Sequence, residues 1–228
     1  MLKFQIYFMS QGSFIMLYKH PRIKHAPWSK SVSYDDKIMF DYSIFYNRRV
    51  IISLKYDGEN TTGYYNGISH ARSMDSKYHP SRTWFKNWWA ERCYKLNFGW
   101  RVCGENLFAK HSIHYTDLKS YFYGFGVYNE NNVLLNWDDS LIIFEQLNIE
   151  PVEAVFDGIF TKEFARELQY GKFDYLLNDQ NEGYVIRLAD EINYDDFSNS
   201  VMKVVRAGHV QTNEHWMNSE IIPNELRK

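Results

Sequence analysis

Lys55 is the residue from which the chemistry of this chain can be built. It stands in Lys55-Tyr56-Asp57-Gly58-Glu59-Asn60, directly after the apolar run Val50-Ile51-Ile52 and before Thr61-Thr62-Gly63. The β-branched run reads as a buried strand and Asp57-Gly58 as the turn that ends it. An ammonium at such a strand end must be paired, solvated or partly neutralised. Two readings follow: a nucleophilic amine whose pKa is lowered by burial and neighbouring cations, or a lysine that snorkels to solvent. Other reactive side chains recur where strands end. Glu105 lies in Gly104-Glu105-Asn106, Glu182 opens Glu182-Gly183-Tyr184-Val185-Ile186-Arg187, and Lys203 interrupts Val201-Met202-Lys203-Val204-Val205.

The elements that must position these groups are mostly strands. Tyr64 to Ser69, with Asn66-Gly67 at its centre, signals a hairpin with positive φ tolerated at both central residues. Its returning strand brings Arg72 back towards the Lys55 end. Residues 100–107, 121–128, 133–135, 151–156, 182–188 and 200–206 read as further strands. Helices are expected after Pro80, capped by Ser81 and ending near residues 96–99, then from Asp138-Asp139-Ser140 through Leu147, and from Thr161 through Gln169. In the first, Trp84, Phe85, Trp88 and Trp89 form a helical stripe that reads as core. Residues 17–47, with His20-Pro21-Arg22 and Ala26-Pro27-Trp28, read as an arm over the surface, made basic by Lys19, Arg22, Lys24 and Lys30.

At 228 residues the chain can bury a sizeable core, and no composition shift marks a linker, so one domain is the simpler organisation. The net charge of −2 excludes a generally cationic coat for nucleic acid while leaving local basic patches open. Aromatic residues make up 18%, enough both to fill a core and to stack on bases. Only Cys93 and Cys103 occur, which requires no disulfide framework and suits a reducing, cytoplasmic setting. No run is long and apolar enough to span a bilayer. His111, His114, His209 and His215 match no zinc spacing and read as ordinary hydrogen-bonding histidines. Met16 offers a second start, so the expected organisation is an extension over residues 1–15 and a single domain over 16–228, with no separate C-terminal domain.

The ordered set resembles the covalent nucleotidyltransferases, and most closely the small ATP-dependent RNA ligases of bacteria and their phages. The resemblance rests on Lys55–Thr62, Gly104–Ile113 and Arg206–Thr212 and covers roughly residues 17–223. It implies an α+β fold, with antiparallel sheets forming a nucleotide cleft and helices packed outside. It also implies that Lys55 attacks the α-phosphorus of ATP to give lysyl–AMP. AMP then passes to a 5′-phosphate end of RNA, and a 3′-hydroxyl displaces it. Glu105 is then expected on the ribose and Phe125 under adenine, with Tyr123 as the alternative. Asp57 and Gly58 belong to the nucleophile motif, Arg72 faces phosphate or ribose, Glu182 helps place Mg²⁺ or Mn²⁺, and Lys203 binds the α-phosphate. Phosphoryl transfer asks for charge stabilisation more than acid–base work, which suits these residue types.

Two departures stand out. Leu54 occupies the place where related sequences often carry a glutamate that meets the adenine edge. Lys203-Val204-Val205-Arg206 replaces a Lys-x-Lys pattern, leaving open whether Arg206 substitutes for the second lysine. RNA is expected on basic loops around Lys77, Arg82 and Lys110, and the protein is expected to act as a monomer after an end-healing enzyme. A DNA or hybrid nick ligase with the same chemistry, and a non-catalytic nucleotide- or RNA-binding module, are the alternatives.

Overall fold

Strand β4 (Arg49–Lys55) is covered on both faces, which is why Val50-Ile51-Ile52 reads as an unbroken apolar run: all three are fully buried. The computed structural model describes residues 4–8, 14–74, 79–208 and 220–228. Before β4 come β1 (Phe4–Phe8), β2 (Phe14–Tyr18) and β3 (Lys24–His25). After it follow β5 (Glu59–Tyr64), β6 (Ser69–Ala71), β7 (Arg101–Asn106), β8 (Phe122–Tyr128), β9 (Val133–Leu134), β10 (Glu150–Pro151) and β11 (Ala154–Ile159). The last three are β12 (Gly183–Leu188), β13 (Ile192–Asn193) and β14 (Val201–Val205). The helices are α1 (Thr83–Ala90), α2 (Trp137–Leu147), α3 (Lys162–Gln169) and α4 (Phe197–Ser200).

Two larger sheets carry the molecule. One runs β11-β4-β12-β14-β3, the other β13-β9-β8-β7-β5-β6 with β10 beside β8; β1 and β2 pair separately. All pairings are antiparallel except β10–β8 and β14–β3. Residues of both large sheets, among them Ile52, Tyr184, Met202, Cys103 and Tyr128, share one core with α3. The outer face of the second sheet packs Val102 and Phe122 on Phe85 and Trp89 of α1 and Phe144 of α2. Of the aromatic stripe, Phe85 and Trp89 are core, while Trp84 and Trp88 are half-buried at its edge. This is an α+β fold of mainly antiparallel sheets with flanking helices.

Local details depart from the sequence expectation for identifiable reasons. Segment 17–47 is not a surface arm, because β3 extends the first sheet parallel to β14, with His25 opposite Lys203. Ala26 N donates to Lys203 O (2.8 Å), and Leu17, His20, His25, Ala26 and Met39 are buried. In the Tyr64–Ser69 hairpin only Gly67 has positive φ (85°), since Gly67 N closes a turn onto Tyr64 O (3.0 Å) over Tyr65-Asn66. His79, whose ring accepts from Ser81 N, caps a 3₁₀ turn over Pro80–Arg82 that leads into α1, while Ser81 is itself buried. That helix ends at Ala90, and a short 3₁₀ turn over Cys93–Lys95 follows. Asn136 caps α2 by accepting from Asp139 N (2.8 Å), whereas Asp138 is held by Arg49. Thr161 caps α3 as expected. Among the described residues no helix is long and apolar enough to cross a membrane.

Candidate active site

A cavity of ≈ 1310 Å³ opens between the two large sheets. Its lining includes Lys55, Arg72, Glu105, Phe125, Val185 and Lys203, so residues separated by some 150 positions face one space. Strand register explains this. Ser53, Val185 and Lys203 lie opposite one another across β4, β12 and β14, two residues from the row containing Lys55 and Gly183. Alternation puts these residues on the cavity face, while Tyr184 and Val204 turn into the core.

Lys55 Nζ donates to Glu182 Oε2, which the Lys55–Gly183 register brings alongside. The lysine side chain is 21% exposed and the glutamate 8%. Burial alone would lower the Lys55 pKa, but Glu182, Glu105 and Asp57 reverse the sign and hold it above the ordinary lysine value. The expected lowering is therefore corrected: anions, not cations, dominate around the amine. Lys203 shows the opposite balance. Burial first, then the Lys55 charge, lower its pKa against the pull of Asp36 and Glu182. Its Nζ lies 3.9 Å from Asp36 Oδ1, so the lysine inside the apolar strand does have a partner.

Glu105 Oε1 accepts from Gly58 N (3.2 Å). Burial pushes its carboxyl up to about 8, opposed by Lys55 and reinforced by Glu182. Gly58 must be glycine here, because a Cβ would fall 2.6 Å from both Asn106 O and Leu107 Cδ2. Asp57 turns away from the cavity. Its Oδ2 accepts from Ser112 N (2.7 Å), Ser112 Oγ (2.6 Å) and Ile113 N (2.8 Å), latching the Asp57-Gly58 turn to the loop after β7. Asn224 braces that loop from the C-terminal segment: its Nδ2 donates to Leu107 O, and its Oδ1 accepts from Tyr115 N.

Of the two aromatic candidates on β8, Phe125 lines the cavity. Tyr123 stacks on Tyr56 (4.7 Å, 24°), and its hydroxyl accepts from Lys119 N. Arg206 lies outside the lining; its N donates to Glu182 O (3.0 Å) and its Nη1 reaches Asp179 (3.1 Å). Arg82 is not a free basic grip, since it forms a two-pronged pair with Glu59 (2.8 and 2.5 Å) on the cavity wall. Lys110 sits outside the lining, its N donating to Ile222 O. Lys77, His209, His215 and residues 209–212 of the last motif lie outside the described residues. His114 hydrogen-bonds Pro223 O, and among the described residues no group of three or more His, Cys, Asp or Glu could hold a metal ion.

Several lining residues escaped the sequence reading. Asp36, His20 and Trp137 carry no local signal, because their placement depends on strand pairing and loop threading. Arg187 had one, an arginine inside an apolar strand. It is buried and donates to the carbonyls of Leu188, Phe125 and Leu135, and burial lowers it to about 10.

The architecture is the nucleotidyltransferase fold of ATP-dependent ligases. An archaeal ATP-dependent RNA ligase superimposes with TM-score 0.58 at 14% identity, covering 88% of this chain and 51% of that one. A putative ATP-dependent DNA ligase from Aquifex aeolicus gives 0.56 at 14% identity, over 90% and 59%. A mutant of Naegleria gruberi RNA ligase with ATP and Mn gives 0.51 at 15% identity, over 72% and 52%. The chain thus spans about half the length of the first of these. No curated protein matches it in sequence. The RNA ligase family model matches residues 48–205, and the chain belongs to that family.

Proposed function

We propose that this protein is an ATP-dependent RNA ligase that works through lysyl–AMP. The reading is carried by one observation: Lys55, hydrogen-bonded to Glu182, shares a cavity with Lys203 and Phe125. Lys55 Nζ forms a bond to the α-phosphorus while the bond to the pyrophosphate oxygen breaks. Because its neighbours hold Lys55 as an ammonium, a proton must leave first, and Glu182 is in hydrogen-bond contact to take it. Lys203 and Arg72 stabilise the phosphate charge. Glu105, protonated over part of the neutral range, can donate to a ribose hydroxyl, and Phe125 supplies a stacking face.

For a divalent cation the fit is limited. Glu182 is a suitable oxygen donor, but no ring of protein ligands surrounds it among the described residues. Mg²⁺ or Mn²⁺ therefore suits this site only with phosphate oxygens and water completing the shell, where it supplies charge neutralisation. The substrate in this reading is RNA with 5′-phosphate and 3′-hydroxyl ends, joined by a cytoplasmic monomer after end healing, with residues 16–228 as the adenylyltransferase unit. Incubation with α-labelled ATP and Mg²⁺ or Mn²⁺ should yield an acid-labile adduct that Lys55→Ala abolishes. Nicked RNA, DNA and hybrid duplexes assayed side by side then separate RNA from DNA sealing. An adduct on another side chain, or none, overturns the reading.

A further inference from the structure

Leu54 supplies no polar group to a base edge, so any selection of the nucleobase must come from elsewhere in the cavity. His20 is the candidate side chain. It lines the cavity yet is only 5% exposed. Its ring borders Phe125 at 5.3 Å and 77°, and Phe197 at 5.1 Å and 84°. Nδ1 lies 3.0 Å from Pro21 O. A carbonyl only accepts, so Nδ1 carries the proton. Burial, with the Arg72 charge, lowers the imidazole to about 3, so the ring is neutral and Nε2 keeps its lone pair. Among the described residues Nε2 has no hydrogen-bond partner. Nε2 is not one of the fully buried unpartnered atoms, so it opens onto the cavity, where a donor on a bound ligand can reach it.

We propose that His20 Nε2 accepts the exocyclic 6-amino group of adenine stacked on Phe125, making His20 the residue that selects adenine. The proposal rests on the ATP reading of the cavity. His20, from the N-terminal segment, makes the selection that Leu54 cannot. Guanine or hypoxanthine would instead present an oxygen lone pair to Nε2, leaving both acceptors unsatisfied.

The test uses the full chain carrying Lys55→Ala, which blocks adduct formation, so that affinities report binding alone. Calorimetric titration should give ATP about 3- to 10-fold tighter binding than purine riboside triphosphate, which lacks only the amine. In the His20→Phe background that ratio should fall to within about twofold, since the ring is kept and the acceptor removed. A ratio near one with His20 intact, or a ratio that survives His20→Phe, overturns the proposal. His20→Gln gives a second measure, because its amide can turn a donor towards a base oxygen. Inosine triphosphate relative to ATP should improve by about threefold or more, and an unchanged ratio counts against His20. These outcomes remain distinct from failure of the ligase reading. Equal binding of both nucleotides alongside a Lys55 adduct in the unsubstituted protein leaves that reading standing, whereas absence of ATP binding removes both.

Discussion

Glu182→Gln is the most direct test of how Lys55 is held. The change keeps shape and removes the anion that Lys55 Nζ contacts. Truncating one partner of a buried ion pair costs about 3–5 kcal/mol. Lys55 is one fifth exposed and retains Asp57 as a neighbour, so the loss should shrink to about 2 kcal/mol. Urea unfolding of nucleotide-free protein at pH 7.5 measures it, with a midpoint fall of roughly 1 M for a slope of about 2 kcal/mol/M. Lys55→Met completes a double-mutant cycle, in which the coupling should be about 1–2 kcal/mol. A second readout follows from the pKa direction. With Lys55 raised above its ordinary value, the neutral amine is scarce at pH 6–9 and grows about tenfold per pH unit. Adduct formation should therefore rise with pH, and Glu182→Gln should move that rise to lower pH while reducing its amplitude. Strictly additive single-mutant losses together with an unshifted pH profile would refute the pairing argument.

Asp57→Asn exchanges charge-assisted bonds to Ser112 and Ile113 for neutral ones, so thermal unfolding should reveal a loss of about 1.5–3 kcal/mol and adduct yield should drop with it. Glu105 keeps its proton up to about 8 when folded but to about 4.5 when unfolded, so between those values the folded state binds more protons and stability falls as pH rises. Glu105→Gln should flatten that slope relative to the parent across pH 4.5–8, and parallel slopes in denaturant titrations would contradict the assignment. Gly183→Ala would put a Cβ 1.9 Å from Val204 O at φ 154°. The strain and the displaced β12–β14 ladder should cost more than about 3 kcal/mol, read as loss of soluble folded protein by circular dichroism.

Strand pattern marked where charged residues sit against apolar runs, and the resemblance to the RNA ligases gathered them into one site. Lys55, Glu105, Glu182 and Lys203 each sit at a strand end or inside an apolar run, where a charge needs a reason, and such positions are legible because burial and alternation are local properties. The caps at His79 and Asn136 were less legible, because a cap depends on which neighbour has its side chain free: Asp138 is taken by Arg49. The sequence by itself, through its motifs and the family they resemble, determined an α+β molecule and charged residues of the cavity. Only the tertiary structure decided their electrostatics: that Glu182 and Glu105 raise Lys55 rather than leaving a lowered amine, that Asp57 latches a loop, that Arg82 is spent on Glu59, and that His20 and Asp36 enter the cavity. Coulomb energies depend on separation through space, and parallel pairing of β3 with β14 brings a segment 180 residues away to within a few ångströms of Lys203.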